Sequence, residues 1–119
     1  MSETCKTVAI FGTGSSGERA WKTCTAIPSV KVVAFADNDD RKHGTLLHGL
    51  PVISAEELVS SSIEGVVLAS MFAADIRAKL LNLGLAHERI VTASDRQFAS
   101  AVMDWALDRT GGLVALEGG

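Results

Sequence analysis

The sequence contains no tyrosine, only two cysteines and two prolines, and 5% aromatic residues among its 119 positions. Two cysteines are too few for a disulfide framework, so we expect Cys5 and Cys24 to be reduced thiols in a cytoplasmic protein. No apolar run approaches the roughly 18 residues that a membrane span requires. The first residues are polar and lead directly into a strand-like run, and we therefore expect no signal peptide.

Positive charge is also scarce. The net charge is −3, which argues against a nucleic-acid partner or an anionic membrane surface, because both need clustered Lys and Arg. Hydrophobic residues make up 47% and charged residues 21% of the chain, as in an ordinary globular domain. The length predicts a single domain, which we place at residues 1–110, with a C-terminal tail at 111–119.

Short apolar runs alternate with amphipathic stretches along the chain, which predicts a parallel sheet covered by helices on both faces. The predicted strands are Thr7–Phe11, Val30–Ala36, Pro51–Ile53, Glu64–Ala69 and Arg89–Thr92. The predicted helices begin near Ser15, at Ser54, after Ser70 and at Ser94. We expect the segment 38–50 to be an irregular loop with at most one helical turn. Right-handed crossovers then predict a Rossmann-like, doubly wound, three-layer α/β/α fold with strand order 3-2-1-4-5.

A glycine-rich loop follows the first predicted strand and opens the first predicted helix. Its sequence is Gly12-Thr13-Gly14-Ser15-Ser16-Gly17, the G-x-G-x-x-G pattern in the context that dinucleotide binding requires. Gly12 allows the tight turn, Gly14 lets a pyrophosphate approach the backbone, and Gly17 lets the helix pack closely on the strand. The helix N-terminus offers N–H groups to an anion, and the hydroxyls of Ser15 and Ser16 can add donors. The alternative is a glycine turn that serves only strand–helix packing.

Asp37 stands 20 residues after Gly17, at the end of the second predicted strand, with Asn38 beside it. A carboxylate there accepts hydrogen bonds from the hydroxyls of an adenosine ribose and disfavours a 2′-phosphate, so we expect NAD rather than NADP. The alternative is a solvated turn aspartate. Arg41 and Lys42 lie just beyond and would contact a ribose phosphate, as coenzyme A or NADP would require, if the loop folds back.

Ser70 follows the fourth predicted strand and is the remaining candidate ligand contact. The predicted strand order places it beside the glycine loop, at the topological switch point where ligands bind. Helix capping is the alternative reading of this serine. We predict no metal site, because His43, His48 and His87 show no metal-ligand spacing with one another or with the cysteines. We interpret the histidines as loop residues, Cys24 as a core residue and Trp21 as a packing group.

Four segments together resemble a known family. They are Phe11–Glu18, Phe35–Asp39, His48–Ser54 and Val66–Ser70. They are similar to the coenzyme A-binding-like Rossmann domain of bacterial polysaccharide biosynthesis, which forms the N-terminal part of nucleotide-sugar epimerases and dehydratases. Similar copies are attached to sugar methyltransferases and glycosyltransferases. The resemblance covers residues 6–93 and implies a nucleotide ligand, namely NAD, coenzyme A or a nucleotide-sugar such as a UDP-sugar, held by Gly12, Gly14, Gly17 and Asp37.

Two classes of function remain open from the sequence. The first is a binding module that holds a nucleotide and acts with a catalytic partner subunit or domain, or as a homodimer. The second is a small NAD-dependent nucleotide-sugar dehydrogenase or epimerase, or a fragment of one. The short-chain dehydrogenase mechanism uses the phenol of a Tyr-x-x-x-Lys pair, and the absence of tyrosine excludes that mechanism within one chain. We favour the binding module and assign no catalytic residue.

Overall fold

A computed structural model describes residues 5–92 and, beyond them, residues 102, 103 and 106. In the described part of the chain, six strands form one sheet: β1 (Lys6–Phe11), β2 (Val30–Ala36), β3 (Leu46–Leu47), β4 (Leu50–Ile53), β5 (Gly65–Leu68) and β6 (Ile90–Thr92). The strand order is β3-β4-β2-β1-β5-β6. All neighbouring strands are parallel except β3 and β4, which are antiparallel. The five predicted strands therefore have the predicted order, and the predicted Rossmann-like α/β class is confirmed.

Within residues 5–92, three α-helices connect these strands: α1 (Ser15–Thr25), α2 (Ala55–Ser60) and α3 (Ala73–Asn82). The helix α2 begins with the capping box that its sequence encodes. The Ser54 hydroxyl accepts a hydrogen bond from the Glu57 N–H, and the Glu57 carboxylate accepts one from the Ser54 N–H, both at 3.0 Å. Two of the otherwise unpaired N–H groups at this helix end are thereby satisfied, which fixes the start of α2.

The apolar residues form a core on each side of the sheet, because successive side chains of a strand point to opposite faces. One cluster combines alternate residues of β1 with the buried side of α1 and with Val102, which is in helical conformation. Its buried members are Val8, Ile10, Ala20, Cys24, Ile27, Val30, Phe35, Val52, Val67 and Val102. The other cluster packs Phe11 and Leu68 against α2 and α3. Both faces of the central strands are covered, as the continuous apolar runs predicted.

The segment 38–50 is more ordered than expected from its polar sequence. It contains a 3₁₀ turn at Asp40–Lys42 and the short strand β3, which forms a hairpin with β4 at the edge of the sheet. The two-residue turn of this hairpin places His48 at φ 54°, the left-handed region that such turns require. The single helical turn that the sequence allowed is present, but the strand β3 and its hairpin were not expected, because turn contacts rather than apolar periodicity hold the segment.

The fourth predicted helix and the 111–119 tail lie outside the described residues, apart from residues 102, 103 and 106, which are helical. The division into a domain at 1–110 and a tail therefore stays a prediction. Within the described part of the chain, no helix is long and apolar enough to cross a membrane.

Candidate functional site

A cleft of about 780 Å³ lies where the carboxyl ends of β1, β2 and β5 meet. Backbone hydrogen bonds hold these strand ends together: the Gly12 N–H donates to the Ala36 carbonyl and the Ala69 N–H to the Phe11 carbonyl, both at 2.9 Å. The residues lining the cleft are Phe11, Gly12, Thr13, Ser15, Ser16, Asp37, Asn38, Ala69, Ser70, Met71, Phe72, Asp75, Ile76 and Lys79. This is the edge of a doubly wound sheet at which ligands bind.

The glycine loop is packed so closely that two of its glycines have no room for a side chain. Gly12 has φ +129°, and a Cβ atom there would lie 2.3 Å from the Ala69 carbonyl oxygen. A Cβ atom at Gly17 would lie 2.1 Å from the Gly12 carbonyl oxygen. The neighbouring atoms are backbone atoms and cannot rotate away. Gly12 and Gly17 are thus required by the fold, whatever the cleft binds.

Gly14 differs from these two glycines, because the protein itself leaves its side-chain position empty. A Cβ atom at Gly14 would have no heavy atom within 4 Å, and the residue is exposed in an extended conformation with φ −90°. It is the N-cap of α1, and no side chain caps that helix end. Packing therefore does not explain the glycine. Glycine is among the residues favoured at a helix N-cap, and here it also leaves the backbone N–H groups of that helix end open to an approaching ligand.

Asp37 is held at the mouth of the glycine loop by two hydrogen bonds. Its Oδ2 accepts from the Thr13 hydroxyl at 2.6 Å, and its Oδ1 accepts from the Asp39 N–H at 2.9 Å. The side chain keeps 19% of its accessible surface, and the ammonium of Lys42 lies 3.9 Å from Oδ2. The carboxylate thus lines the cleft while it ties the end of β2 to the loop.

The opposite wall of the cleft is the loop after β5 together with α3. Met71 and Phe72 are exposed there, with 87% and 62% of their surface accessible, so the wall presents an apolar face. The Ser70 hydroxyl accepts a hydrogen bond from the Phe72 N–H at 3.0 Å, one residue before the helix begins. Lys79 reaches across from α3 and donates to the Asn38 amide oxygen at 3.1 Å.

Six of the eight predicted ligand contacts line the cleft: Gly12, Ser15, Ser16, Asp37, Asn38 and Ser70. Gly17 is buried beneath the loop and shapes it, whereas Gly14 is exposed at the helix start. The Ser70 hydroxyl accepts a hydrogen bond from the Phe72 N–H just before α3 begins, and Ser70 lines the cleft, so its contact with a ligand stays a prediction. It is not the N-cap itself, because that position is Phe72.

The two loop histidines are structural. The Nε2 atom of His43 is 2.7 Å from the Asp37 carbonyl oxygen. The His48 ring stacks on Trp21, with centroids 3.7 Å apart and planes 3° apart, and its Nε2 lies 2.8 Å from a Glu18 carboxylate oxygen. These contacts confirm the reading of Trp21 as a packing group and fasten the β3–β4 hairpin onto α1. Among the described residues, no group of His, Cys, Asp and Glu could hold a metal ion.

Both cysteines are free thiols in different environments. Cys24 lies in the core, where burial raises the pKa of its thiol to about 12. A thiol with such a pKa stays protonated at neutral pH and is a poor nucleophile. Cys5 is exposed and donates to the Pro28 carbonyl at 3.3 Å.

Sequence reasoning missed Thr13 and Lys79, which shape the site, and it considered Lys42 only as a contact to a ribose phosphate. Thr13 binds Asp37, Lys42 donates to the Thr13 hydroxyl at 2.8 Å, and Lys79 binds Asn38. Thr13 occupies a variable position of the glycine pattern, so the pattern gives it no role. The two lysines are distant in sequence from the groups they contact, and only the folded chain brings them together.

The fold is shared with solved structures of low sequence identity. RSP, a Rex-family repressor, matches with a TM-score of 0.58 and 17% identity over 75% of this chain and 45% of its own. UDP-D-quinovosamine 4-dehydrogenase from Vibrio fischeri matches with a TM-score of 0.61 and 21% identity over 91% of this chain and 98% of its own. An engineered D-amino acid dehydrogenase bound to NADP⁺ matches with a TM-score of 0.56 and 21% identity over 87% of this chain and 33% of its own.

These neighbours are Rossmann-type proteins, and the chain spans less than half the length of two of the three. RSP has been crystallised with β-NADH and also with β-NAD⁺ and operator DNA. No protein with a curated description matches the sequence. A family model does match, over residues 4–91, which is most of the chain. The chain therefore belongs to the family described as C2185-like, N-terminal.

Proposed function

We propose that this chain is a nucleotide-binding Rossmann module that holds a nicotinamide dinucleotide in the cleft at the glycine loop. The pyrophosphate lies over Gly14 and the N-terminus of α1, and the adenosine ribose lies on Asp37. The observation that carries the proposal is the contrast among the glycines. Gly12 and Gly17 are explained by backbone contacts, whereas Gly14 faces open space beside the cleft.

The cleft has the chemistry that a dinucleotide needs. Serine hydroxyls and a helix N-terminus surround the proposed pyrophosphate position, and a carboxylate lies at the proposed ribose position. The volume of about 780 Å³ is within the range of small-molecule sites. Solved neighbours bound to NADH, NAD⁺ or NADP⁺ support the choice of a nicotinamide dinucleotide. Among these we propose NAD, with coenzyme A and a UDP-sugar as alternatives.

The proposed biological setting is nucleotide-sugar metabolism in polysaccharide biosynthesis. The resemblance of the four sequence segments supports this setting, as does the nucleotide-sugar dehydrogenase among the structural neighbours. In this setting the state of the module, with or without bound ligand, affects a catalytic partner subunit or domain, or the module acts as a homodimer.

Calorimetric titration tests the proposal most directly. NAD, coenzyme A and a UDP-sugar would each be titrated into the purified chain, after native mass spectrometry has established whether a nucleotide copurifies. We expect saturable binding of NAD with one site per chain. If none of the three binds and no nucleotide copurifies, the proposed function is wrong.

A second candidate is a small NAD-dependent nucleotide-sugar dehydrogenase or epimerase. The Vibrio fischeri neighbour favours this candidate, because that protein is named for such an activity and its match with this chain covers 98% of its length. The chain has no tyrosine to act as the proton-transferring phenol. We therefore expect no rise in absorbance at 340 nm when the chain is mixed with NAD and UDP-sugars. A reproducible, enzyme-dependent rise would make this second candidate the better one.

A further inference from the structure

The turn after β2 carries a lysine back to the glycine loop. The ammonium of Lys42 donates a hydrogen bond to the Thr13 hydroxyl at 2.8 Å, and the same hydroxyl donates to Asp37 at 2.6 Å. Lys42 thus stands beside the carboxylate proposed to bind the ribose, 3.9 Å from its Oδ2. Its side chain retains 47% of its accessible surface, so the ammonium faces both the carboxylate and solvent.

Local hydrogen bonds place Lys42 there. The Asp37 carboxylate accepts from the Asp39 N–H, and the Asp39 carboxylate accepts from the Arg41 N–H at 3.0 Å. The Lys42 N–H donates to the Asp39 carbonyl, which closes the 3₁₀ turn at Asp40–Lys42. His43 then holds the Asp37 carbonyl. Each link reverses the chain further, so that the ammonium of Lys42 lies beside the carboxylate of Asp37, five residues earlier in the chain.

This position changes the electrostatics of the ribose site. Asp37 alone would repel a phosphate on the ribose, because two anions would meet in a partly dehydrated cleft. A lysine ammonium at 3.9 Å offsets part of the negative charge of that carboxylate and offers further N–H donors to a phosphate. We infer that the cleft accepts an adenosine ribose carrying a phosphate monoester as well as a free ribose, and that Lys42 binds this phosphate. The inference rests on the proposed function.

The neighbouring cations are placed differently. Arg41 is turned onto Asp39, with Nε and Nη2 at 3.0 and 3.1 Å from its carboxylate oxygens, and its side chain is 86% exposed. Its hydrogen bonds hold the pKa of Asp39 below the ordinary value. Lys79 approaches from α3 and contacts Asn38 rather than Asp37. Arg41 is therefore a matched control for Lys42, with the same charge in the same turn. Lys79 is the competing candidate for the cation that binds the phosphate.

The inference is tested with two ligand pairs that each differ by one phosphate. NAD and NADP differ at the ribose 2′-position, and dephospho-coenzyme A and coenzyme A differ at the 3′-position, so the pairs distinguish the two sources of the phosphate. We expect the parent chain to bind at least one phosphorylated ligand within about tenfold of its unphosphorylated partner. Lys42→Met should weaken the binding of that phosphorylated ligand at least about fivefold more than the binding of its unphosphorylated counterpart. Lys42→Arg should restore the ratio of the two affinities to that of the parent chain.

The controls separate this inference from the proposed function. Arg41→Met should leave the ratio unchanged, and the thermal midpoint of each variant shows that it is folded. The inference is overturned if the parent rejects both phosphorylated ligands, if Lys42→Met shifts the ratio less than fivefold, or if Lys79→Met causes the loss instead. In those cases NAD binding still upholds the proposed function. If none of the four ligands binds, the proposed function falls and the inference falls with it.

Discussion

Substitutions at two glycines of the same loop should separate folding from ligand binding. Replacing Gly17 by alanine puts a Cβ atom 2.1 Å from the Gly12 carbonyl oxygen, well inside van der Waals contact. The clash is between backbone and Cβ, so α1 must move away from β1. Overpacking of this kind costs about 1–3 kcal/mol. The greater helix propensity of alanine returns up to about 1 kcal/mol of that. Because the atom met at 2.1 Å belongs to the backbone and cannot rotate away, the cost lies at the upper end of its range, and we expect a net loss of about 2 kcal/mol in the free energy of unfolding.

Replacing Gly14 by valine should instead change the stability of the fold little and weaken NAD binding strongly. No heavy atom lies within 4 Å of the new Cβ position, and the extended backbone at φ −90° suits a branched side chain. The poorer N-cap costs at most about 1 kcal/mol. The side chain fills the space proposed for the pyrophosphate, so NAD affinity should fall at least about tenfold, which corresponds to ~1.4 kcal/mol.

Thermal unfolding and calorimetric titration on the same samples provide the two readouts. A loss of 1 kcal/mol lowers the midpoint of a domain near this size by about 4–8 °C. Gly84→Ala is a control for destabilisation away from the cleft, because Gly84 follows the C-cap of α3 with φ +102°, a conformation in which any other residue would be strained. This substitution should lower the thermal midpoint without weakening the binding of NAD. Parent-like NAD affinity in Gly14→Val, or an unchanged midpoint in Gly17→Ala, would refute the reasoning.

Three further predictions follow from single contacts. Asp37→Ala should weaken NAD at least tenfold in calorimetry, because charge-assisted hydrogen bonds to the ribose are worth about 1.5–3 kcal/mol each; equal affinity would reduce Asp37 to a turn residue. In the native chain, a thiol reagent at pH 8 should modify Cys5 and spare Cys24, whose raised pKa keeps it protonated, and denaturant should expose both; two fast native thiols would contradict this. His48→Asn keeps a side chain that tolerates the left-handed turn but loses the stack on Trp21. Denaturant unfolding should therefore show a loss of ~1 kcal/mol in the free energy of unfolding, and an unchanged midpoint would show that the stack is not stabilising.

The sheet could be predicted from the sequence because its signals are local. β1 and β5 are continuous apolar runs, and the capping box at Ser54 marks the start of α2. The spacing from Gly17 to Asp37 follows from the length of one helix and one strand. Each of these features depends on one segment of the sequence or on two consecutive segments. The rule that parallel strands are joined by right-handed crossovers then leads to the predicted strand order.

The segment 38–50 could not be predicted in the same way. Its fold depends on side chains that contact distant parts of the chain, such as Lys42 on Thr13 and His48 on Trp21. Polar turn residues carry no periodicity, so the sequence pattern indicates only a loop. The same reason explains why Lys79 was not expected beside Asn38, since 41 residues separate them in the chain.

Asp37 shows why its two readings, turn residue and ribose ligand, do not exclude each other. An ionised carboxylate offers about four lone-pair positions for hydrogen bonds. The fold uses two of them, one from the Thr13 hydroxyl and one from the Asp39 N–H. Because the side chain lines the cleft and is 19% exposed, the remaining capacity is accessible to the ribose hydroxyls of the proposed ligand. The contacts that build the turn also fix the direction of the carboxylate, so under the proposed function Asp37 would lose little side-chain entropy on binding the ribose.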